Sequence, residues 1–312
     1  MPERADHPDE SVYAGLLLDD AHWAYGSSPG DSSEDPLAGV DTSVPDGVDR
    51  ADLAAYCLML GDDALVFSHR LSEWCGRAPD LEEDIALANV ALDLLGQARL
   101  LLARAAAADP GVVPSLPTGS PVPAEDALAF FRDDRGFRNV RMAELPNGDF
   151  GETVVRLLLL STWRLALLQR LASSRDAVLA AVAAKGVKEV TYHRDFAGRW
   201  FVVLARGTAE SRRRLLAGLH GLWPFHAELF GATEVEGRVA AAGVGVDPAE
   251  LEPEVARVLV EVLDAAGVTC PEVPAAGTVR GQAGRDGVHT EALGRMLAEL
   301  QVVARAHPEG RW

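Results

Sequence analysis

Only two lysines stand beside 27 arginines in these 312 residues, cysteine occurs three times, aromatic residues make up 6%, and Glu-x-x-His does not occur at all. Each shortage excludes something. Cys57, Cys75 and Cys270 are too few and too scattered for a disulfide framework or a thiolate zinc site, and read as small core residues in a reducing compartment. Positive charge is scarce too: 29 Lys+Arg face 47 Asp+Glu, a net charge of −18 with no basic stripe. Without a phosphate-neutralising surface, neither nucleic acid nor an anionic membrane is an expected partner. No apolar run approaches the 18 residues of a membrane span, and Met1 to Glu10 has neither a basic nor an apolar leader region, so the expected location is the cytoplasm. Gly-x-Ser-x-Gly is missing, Cys75 has no identifiable base, and the glycines at 281, 284 and 287 follow no strand, which removes the nucleophile-elbow and phosphate-loop readings.

The acidity is uneven. Residues 1–47 hold eleven acids and one arginine, a net of −10, leaving −8 for the remaining 265 residues. The stretch from Gly26 to Pro36 is rich in Gly, Ser, Pro and Asp and cannot offset its ordering entropy by burial. Residues 1–46 are therefore expected to be a mostly disordered acidic extension, with Leu16-Leu17-Leu18, Trp23 and Tyr25 as a short docking element, and residues 47–312 a folded domain.

That domain reads as helical throughout. Leu53, Cys57, Leu60, Ala64, Phe67, Leu71 and Trp74 recur at spacings of four and three, the seam of a bundle helix. Pro79 opens a second helix to about Ala107, forming an antiparallel hairpin with the first. After a Pro/Gly-rich crossover with a short helix from Ala124 to Arg132, further helices are expected from about Asp149 to Leu171, Asp176 to Arg206 and Thr208 to Phe230 with a kink at Pro224. Two more start at Pro248 and Thr290. Six or seven helices in long antiparallel pairs, with extra C-terminal helices, describe an all-α, ferritin-like bundle.

Such bundles often hold two metal ions, each needing carboxylates and one imidazole from Glu-x-x-His. The nearest approximations, Asp19-x-x-His22 and Asp286-x-x-His289, lie off the core helices. On the fourth long helix, 100° steps align Val182, Lys185, Glu189, Tyr192, His193, Phe196, Trp200 and Val203, so Lys185, Glu189 and His193 interrupt an apolar stripe. One reading has Lys185 supply the charge a metal would give, holding Glu189; the other is an ordinary satisfied polar cluster or a face turned towards solvent at the helix entry, and a paired structural cluster is preferred over catalysis. Glu152 sits one turn into the third long helix, as a ligand-like residue or a dipole partner. Asn89 edges the stripe Ile85, Ala88, Leu92, Leu95 as a buried hydrogen-bonder. Asp63 is expected to pair with Arg70, and His69 with Glu73 at the surface. These six residues, Asp63, Asn89, Glu152, Lys185, Glu189 and His193, form the expected vestigial polar cluster, with no catalytic, cofactor or metal ligand among them. Leu58, Met59, Leu65 and Val66 put apolar residues outside the first helix's seam, to be covered either by this chain or by a partner.

The runs Leu60-Gly-Asp-Asp-Ala-Leu65, Arg70-Leu-Ser-Glu-Trp-Cys-Gly76, Leu81-Glu-Glu-Asp-Ile-Ala-Leu-Ala-Asn89 and Ala91-Leu-Asp-Leu-Leu-Gly-Gln-Ala98 resemble the C subunits of bacterial phenylacetyl-CoA epoxidases, also called ring 1,2-epoxidases. Arg138-Asn139, Glu144-Leu-Pro-Asn-Gly-Asp-Phe150, Lys188-Glu-Val-Thr-Tyr-His193, Gly287-Val-His-Thr-Glu-Ala-Leu-Gly294 and Ala298-Glu-Leu-Gln301 continue the resemblance in order, so it covers about residues 48–303. It implies a ferritin-like, non-catalytic scaffold subunit that has lost its metal ligands. The partners implied are a catalytic A subunit with the di-iron centre and substrate pocket, an NADPH-dependent reductase and small subunits, acting together with O₂ in aerobic phenylacetate degradation. The first two helices would supply part of the A-subunit interface. Two alternatives remain: a stand-alone metal-dependent oxygenase using the irregular set Glu152, Glu189, His193 and Asp63, and a general interaction or storage protein.

Overall fold

The computed structural model describes residues 40–310; the readings made for residues 1–39, including the apolar triplet and Asp19-x-x-His22, lie outside the described residues. Ten α-helices follow in order: α1 (Arg50–Ser72), α2 (Leu81–Ala108), α3 (Ala124–Phe130), α4 (Arg141–Glu144), α5 (Phe150–Leu171), α6 (Ala177–Arg206), α7 (Ala209–Leu222), α8 (Glu234–Ala241), α9 (Glu252–Ala266) and α10 (Glu291–Ala306). Among the described residues there is no strand, only an isolated bridge between Val279 and Gln282. The protein is an all-α helical bundle.

Local chemistry sets the helix ends. Asp49 caps α1 by accepting from the amides of Ala51 and Asp52, Asp149 caps α5 through the amide of Glu152, and Asp176 caps α6 through that of Leu179. Thr208 caps α7, and Thr233 with Glu236 forms a reciprocal capping box that starts α8, a helix the periodicity does not reveal. α7 ends at Leu222, where Pro224 removes an amide donor, and residues 223–230 tighten into a 3-10 stretch instead of a kinked continuation.

The four long helices pack as two antiparallel pairs, α1 with α2 and α5 with α6, joined by the crossover that carries α3 and α4. Ser68 Oγ donates to the Ala91 carbonyl across the first pair, and Phe150 meets Trp200 edge-on at 5.2 Å across the second. The pairs join along α2 and α6, which approach closely beside Gly186. A Cβ at Gly186 would lie 2.9 Å from Leu168 Cδ1 and 3.3 Å from the Gln97 side chain.

All six helical seam residues of α1, from Leu53 to Leu71, are buried, as are Leu58, Met59, Leu65 and Val66. α2, α4 and α8 supply the cover, so this chain itself encloses α1. The outward stripes of α2 and α6 are different. Leu81, Ile85, Leu92 and Leu95 on α2, and Tyr192 and Val203 on α6, are exposed. The expectation that Ile85, Leu92, Leu95, Tyr192 and Val203 line the core is thereby corrected. Leu87, Val90, Leu94 and Leu101 of α2, and Ala183, Val190, Ala197 and Phe201 of α6, fill it instead. An 18-residue window of α2 has a mean hydropathy of 1.5, so by length and composition α2 could cross a membrane, contrary to the expectation from apolar runs; half of that window is buried. Of the cysteines, Cys57 is in the core while Cys75 and Cys270 are exposed.

Residues 40–46, placed with the extension by composition, include a stretch tied to the body. The fully buried Arg104 guanidinium donates to the carbonyls of Thr42 and Ser43, and Arg175 donates to that of Asp46.

Candidate functional site

The registers of α1, α2, α5 and α6 bring a polar relay into the middle of the bundle. Gln97 on α2 donates through Nε2 to Glu189 Oε2 on α6 at 2.8 Å, and its Oε1 accepts from Arg164 Nε on α5 at 2.9 Å. Arg164 Nη1 also donates to the Leu60 carbonyl of α1 at 3.3 Å. Lys185 closes the other end, 3.3 Å from Glu189 Oε1. Burial pulls the Arg164 guanidinium down to about 10, against the opposing influence of the Asp63 carboxylate. It therefore remains charged at neutral pH, a permanent cation in the centre of the four-helix core.

One helical turn away, the buried ring of His193 places Nε2 at 2.9 Å from Asp93 Oδ2. The pairs 97/189 and 93/193 run in opposite chain directions, as antiparallel helices require, and form a polar seam between the exposed stripes of α2 and α6.

The expected cluster is only partly assembled. Lys185, Glu189 and His193 lie in or beside the seam, but Lys185 is 39% exposed and is not the buried counter-charge anticipated. Asn89 is exposed, because it turns with the outward stripe of α2 rather than toward the core. Glu152 is half-buried at the other end of α5, where α7 approaches so closely that a Cβ on Gly218 would lie 2.7 Å from its Cα. Burial raises its carboxyl above the usual range, opposed by the Arg156 charge.

Asp63 belongs to a separate cluster. It accepts from the Val140 amide at 2.8 Å and from both Arg285 Nη atoms at 3.0 and 2.8 Å. The expected Asp63/Arg70 pair is not formed: Arg70 Nη1 donates to Glu73 at 2.7 Å, and its Nε and Nη2 reach the Glu144 carbonyl. Seven residues of helix separate Asp63 from Arg70 by about 10 Å along the axis, which lets the crossover and the C-terminal segment come between their partners. Glu73, expected to pair with His69, is taken by Arg70 and Asn147.

His289, which lies off the core helices, is nevertheless built into this cluster. Its Nδ1 is 2.6 Å from Glu144 Oε2 and its Nε2 is 3.0 Å from the Phe137 carbonyl. Glu144 also accepts from Asn139 Nδ2 and from the Thr290 amide. The runs Leu60–Leu65, Arg138-Asn139, Glu144–Phe150 and Gly287–Gly294, distant in sequence, thus contribute to one buried network.

Asp93, Gln97, Arg164, Arg285 and Glu144 are absent from the cluster expected by sequence. A signal exists for Arg164: it interrupts the largely apolar run from Val154 to Leu168, as does Arg156, and an arginine inside such a run is buried with partners or faces water. Nothing in a single sequence points Gln97 or Arg285 at their partners.

No group of three or more His, Cys, Asp or Glu side chains among the described residues is arranged to hold a metal ion. In particular, Glu152, Glu189, His193 and Asp63 do not converge, which removes the geometric basis of the stand-alone oxygenase. The donor set does not fit a di-iron centre either, because an amide and a guanidinium stand beside the single carboxylate of the core relay.

Residues 39–312 match the family described as phenylacetic acid catabolic protein. The C subunit of the 1,2-phenylacetyl-CoA epoxidase from Escherichia coli (strain K12) is 42% identical over 261 residues, covering 83% of this chain and 99% of that protein. With the match spanning the whole described bundle, the chain belongs to the phenylacetic acid catabolic protein family.

Proposed function

We propose that this chain is the structural, non-catalytic C subunit of a phenylacetyl-CoA 1,2-epoxidase, acting in the cytoplasm beside a di-iron catalytic A subunit and with the reductase and small subunits of the same assembly. The observation that carries the reading is Arg164. Its guanidinium occupies the bundle core between Gln97 and the Leu60 carbonyl and supplies, as a fixed covalent cation, the positive charge that metals give in catalytic bundles. The Escherichia coli relative supports it, being itself the C subunit of such an epoxidase. Support for docking comes from the exposed stripes of α2 and α6, since apolar stripes left open on long helices mark interaction surfaces. Of the two helices implied for the interface by the resemblance, α2 keeps an open stripe, whereas α1 is enclosed within this chain.

Purification of the chain alone and together with the catalytic subunit, followed by elemental analysis and an epoxidation assay, tests the proposal. The expected result is an iron-free, inactive chain that enters a stable complex with the iron-loaded subunit. About two irons per isolated chain, with turnover, would overturn it.

A further inference from the structure

The α2–α6 seam runs between two exposed apolar stripes, and its most accessible carboxylate is that of Asp93. Its side chain keeps 35% exposure and uses Oδ2 to meet His193 Nε2 at 2.9 Å. Glu189, one turn along the seam, is only 15% exposed and is held by both Gln97 and Lys185. Exposed apolar residues flank Asp93: Leu92 is 60% exposed, and Tyr192, next to His193 on α6, is 49% exposed, with the exposed amide of Asn89 one turn before Asp93.

A partner that covers these stripes with apolar side chains also strips water from the Asp93 carboxylate. Burying an ionised carboxylate without added hydrogen bonds or a counter-charge is strongly unfavourable. Of the basic side chains on these two helices, His193 is the one the structure seats on Asp93; Lys185 is engaged with Glu189 at 3.3 Å and Arg99 with Glu125 at 3.6 Å, while Lys188 is exposed beside the stripe of α6. Asp93 Oδ1 has no partner in this chain among the described contacts, and a cation on the other side of the interface would complete its complement.

Resting on the subunit reading above, we infer that Asp93 is the polar selectivity contact of this docking face, and that the catalytic subunit places an arginine or lysine opposite it. His193 fixes the carboxylate's orientation from below, so the partner meets a preorganised acceptor flanked by exposed apolar residues. A surface that is apolar but lacks that cation is rejected, because docking it would leave the charge buried without a partner.

Titration calorimetry of the full chain against the iron-loaded catalytic subunit tests this, using wild type, Asp93→Asn and Asp93→Leu, with melting of each chain alone as the control. Asn keeps the size and a hydrogen bond to His193 but removes the charge. Asp93→Asn is expected to melt within about 3 °C of wild type, Asp93→Leu lower because it strands His193 Nε2, and both to bind at least about tenfold more weakly. Binding by either variant as tight as wild type overturns the inference and leaves the subunit reading standing. A wild-type chain that fails to bind the catalytic subunit overturns both.

Discussion

Arg164 Nε donates to Gln97 Oε1 at 2.9 Å in the centre of the bundle, and the same amide passes its own donor to Glu189 at 2.8 Å. A cation built into α5 thereby orients an amide on α2 and, through it, a carboxylate on α6. Four helices share one polar relay with a guanidinium as its hub.

Stability of the isolated chain should accordingly be independent of metal. Incubation with EDTA is expected to leave Tm unchanged within about 1 °C, because the cation at the core is covalently part of the chain and no ion needs to be linked to folding. Arg164→Met, in contrast, strands the Gln97 acceptor and is expected to cost about 1–3 kcal/mol in urea unfolding. A chelator-induced fall in Tm would contradict the first outcome.

The other end of the relay behaves differently. Lys185 is 39% exposed and shares Glu189 with Gln97, so Lys185→Met is expected to cost less than about 1 kcal/mol, as solvent screens an exposed pair. Gln97→Leu removes a buried donor and acceptor together, and should cost more than the lysine change. Urea melts of the two variants side by side check the order.

Arg104 and Asp176 form a bidentate ion pair with both side chains fully buried, and Asp176 also caps α6 through the Leu179 amide. Asp176→Asn leaves the guanidinium without its counter-charge and is expected to destabilise by about 3–5 kcal/mol. The same variant loosens the anchor on the Thr42 and Ser43 carbonyls, so limited proteolysis should cut this segment sooner than in wild type.

pH dependence follows from His289. Burial disfavours its charged form, but the hydrogen bond and charge of Glu144 and the Phe137 carbonyl outweigh it, and the net shift is above the usual imidazole value. Both ring nitrogens face acceptors, which suits the doubly protonated ring. A raised folded-state value means the stabilisation is full below about pH 6.5 and is lost as pH rises through the folded value. The difference in unfolding free energy between wild type and His289→Gln should therefore shrink as pH rises above about 6.5. Taking that difference matters, because His226, lowered by burial to about 4, contributes with the opposite sign as pH falls below about 6.5.

Leu92 and Leu95 provide a control on the docking face. Leu92→Arg is expected to change the stability of the lone chain by no more than about 0.5 kcal/mol, since the residue is exposed, while weakening association with the catalytic subunit at least about tenfold. Unchanged association would place the interface elsewhere.

Much of the architecture was legible in the residues themselves. The seven-residue rhythm of Leu53, Cys57, Leu60 and Ala64 and the caps Asp149, Asp176 and Thr208 place the helices to within a few residues, because caps and periodicity are local properties of the backbone, although the kink expected at Pro224 is a helix end. The absence of Glu-x-x-His likewise argues, from sequence alone, against a di-iron site of the usual kind.

What the sequence left open was direction. α1 and α2 both carry apolar residues on several faces, and periodicity cannot distinguish α1, enclosed by α2, α4 and α8, from α2, whose Leu92 and Leu95 remain exposed. Likewise, Lys185, Glu189 and His193 share a helix face in projection. Only tertiary packing sends His193 to Asp93, Glu189 to Gln97, and Asp63 to Arg285, 222 residues away in the chain. Local propensity acts within a turn or two of helix; the partner of a buried charge is chosen by the elements that fold against it, and the energy of leaving that charge unpaired makes the choice binding.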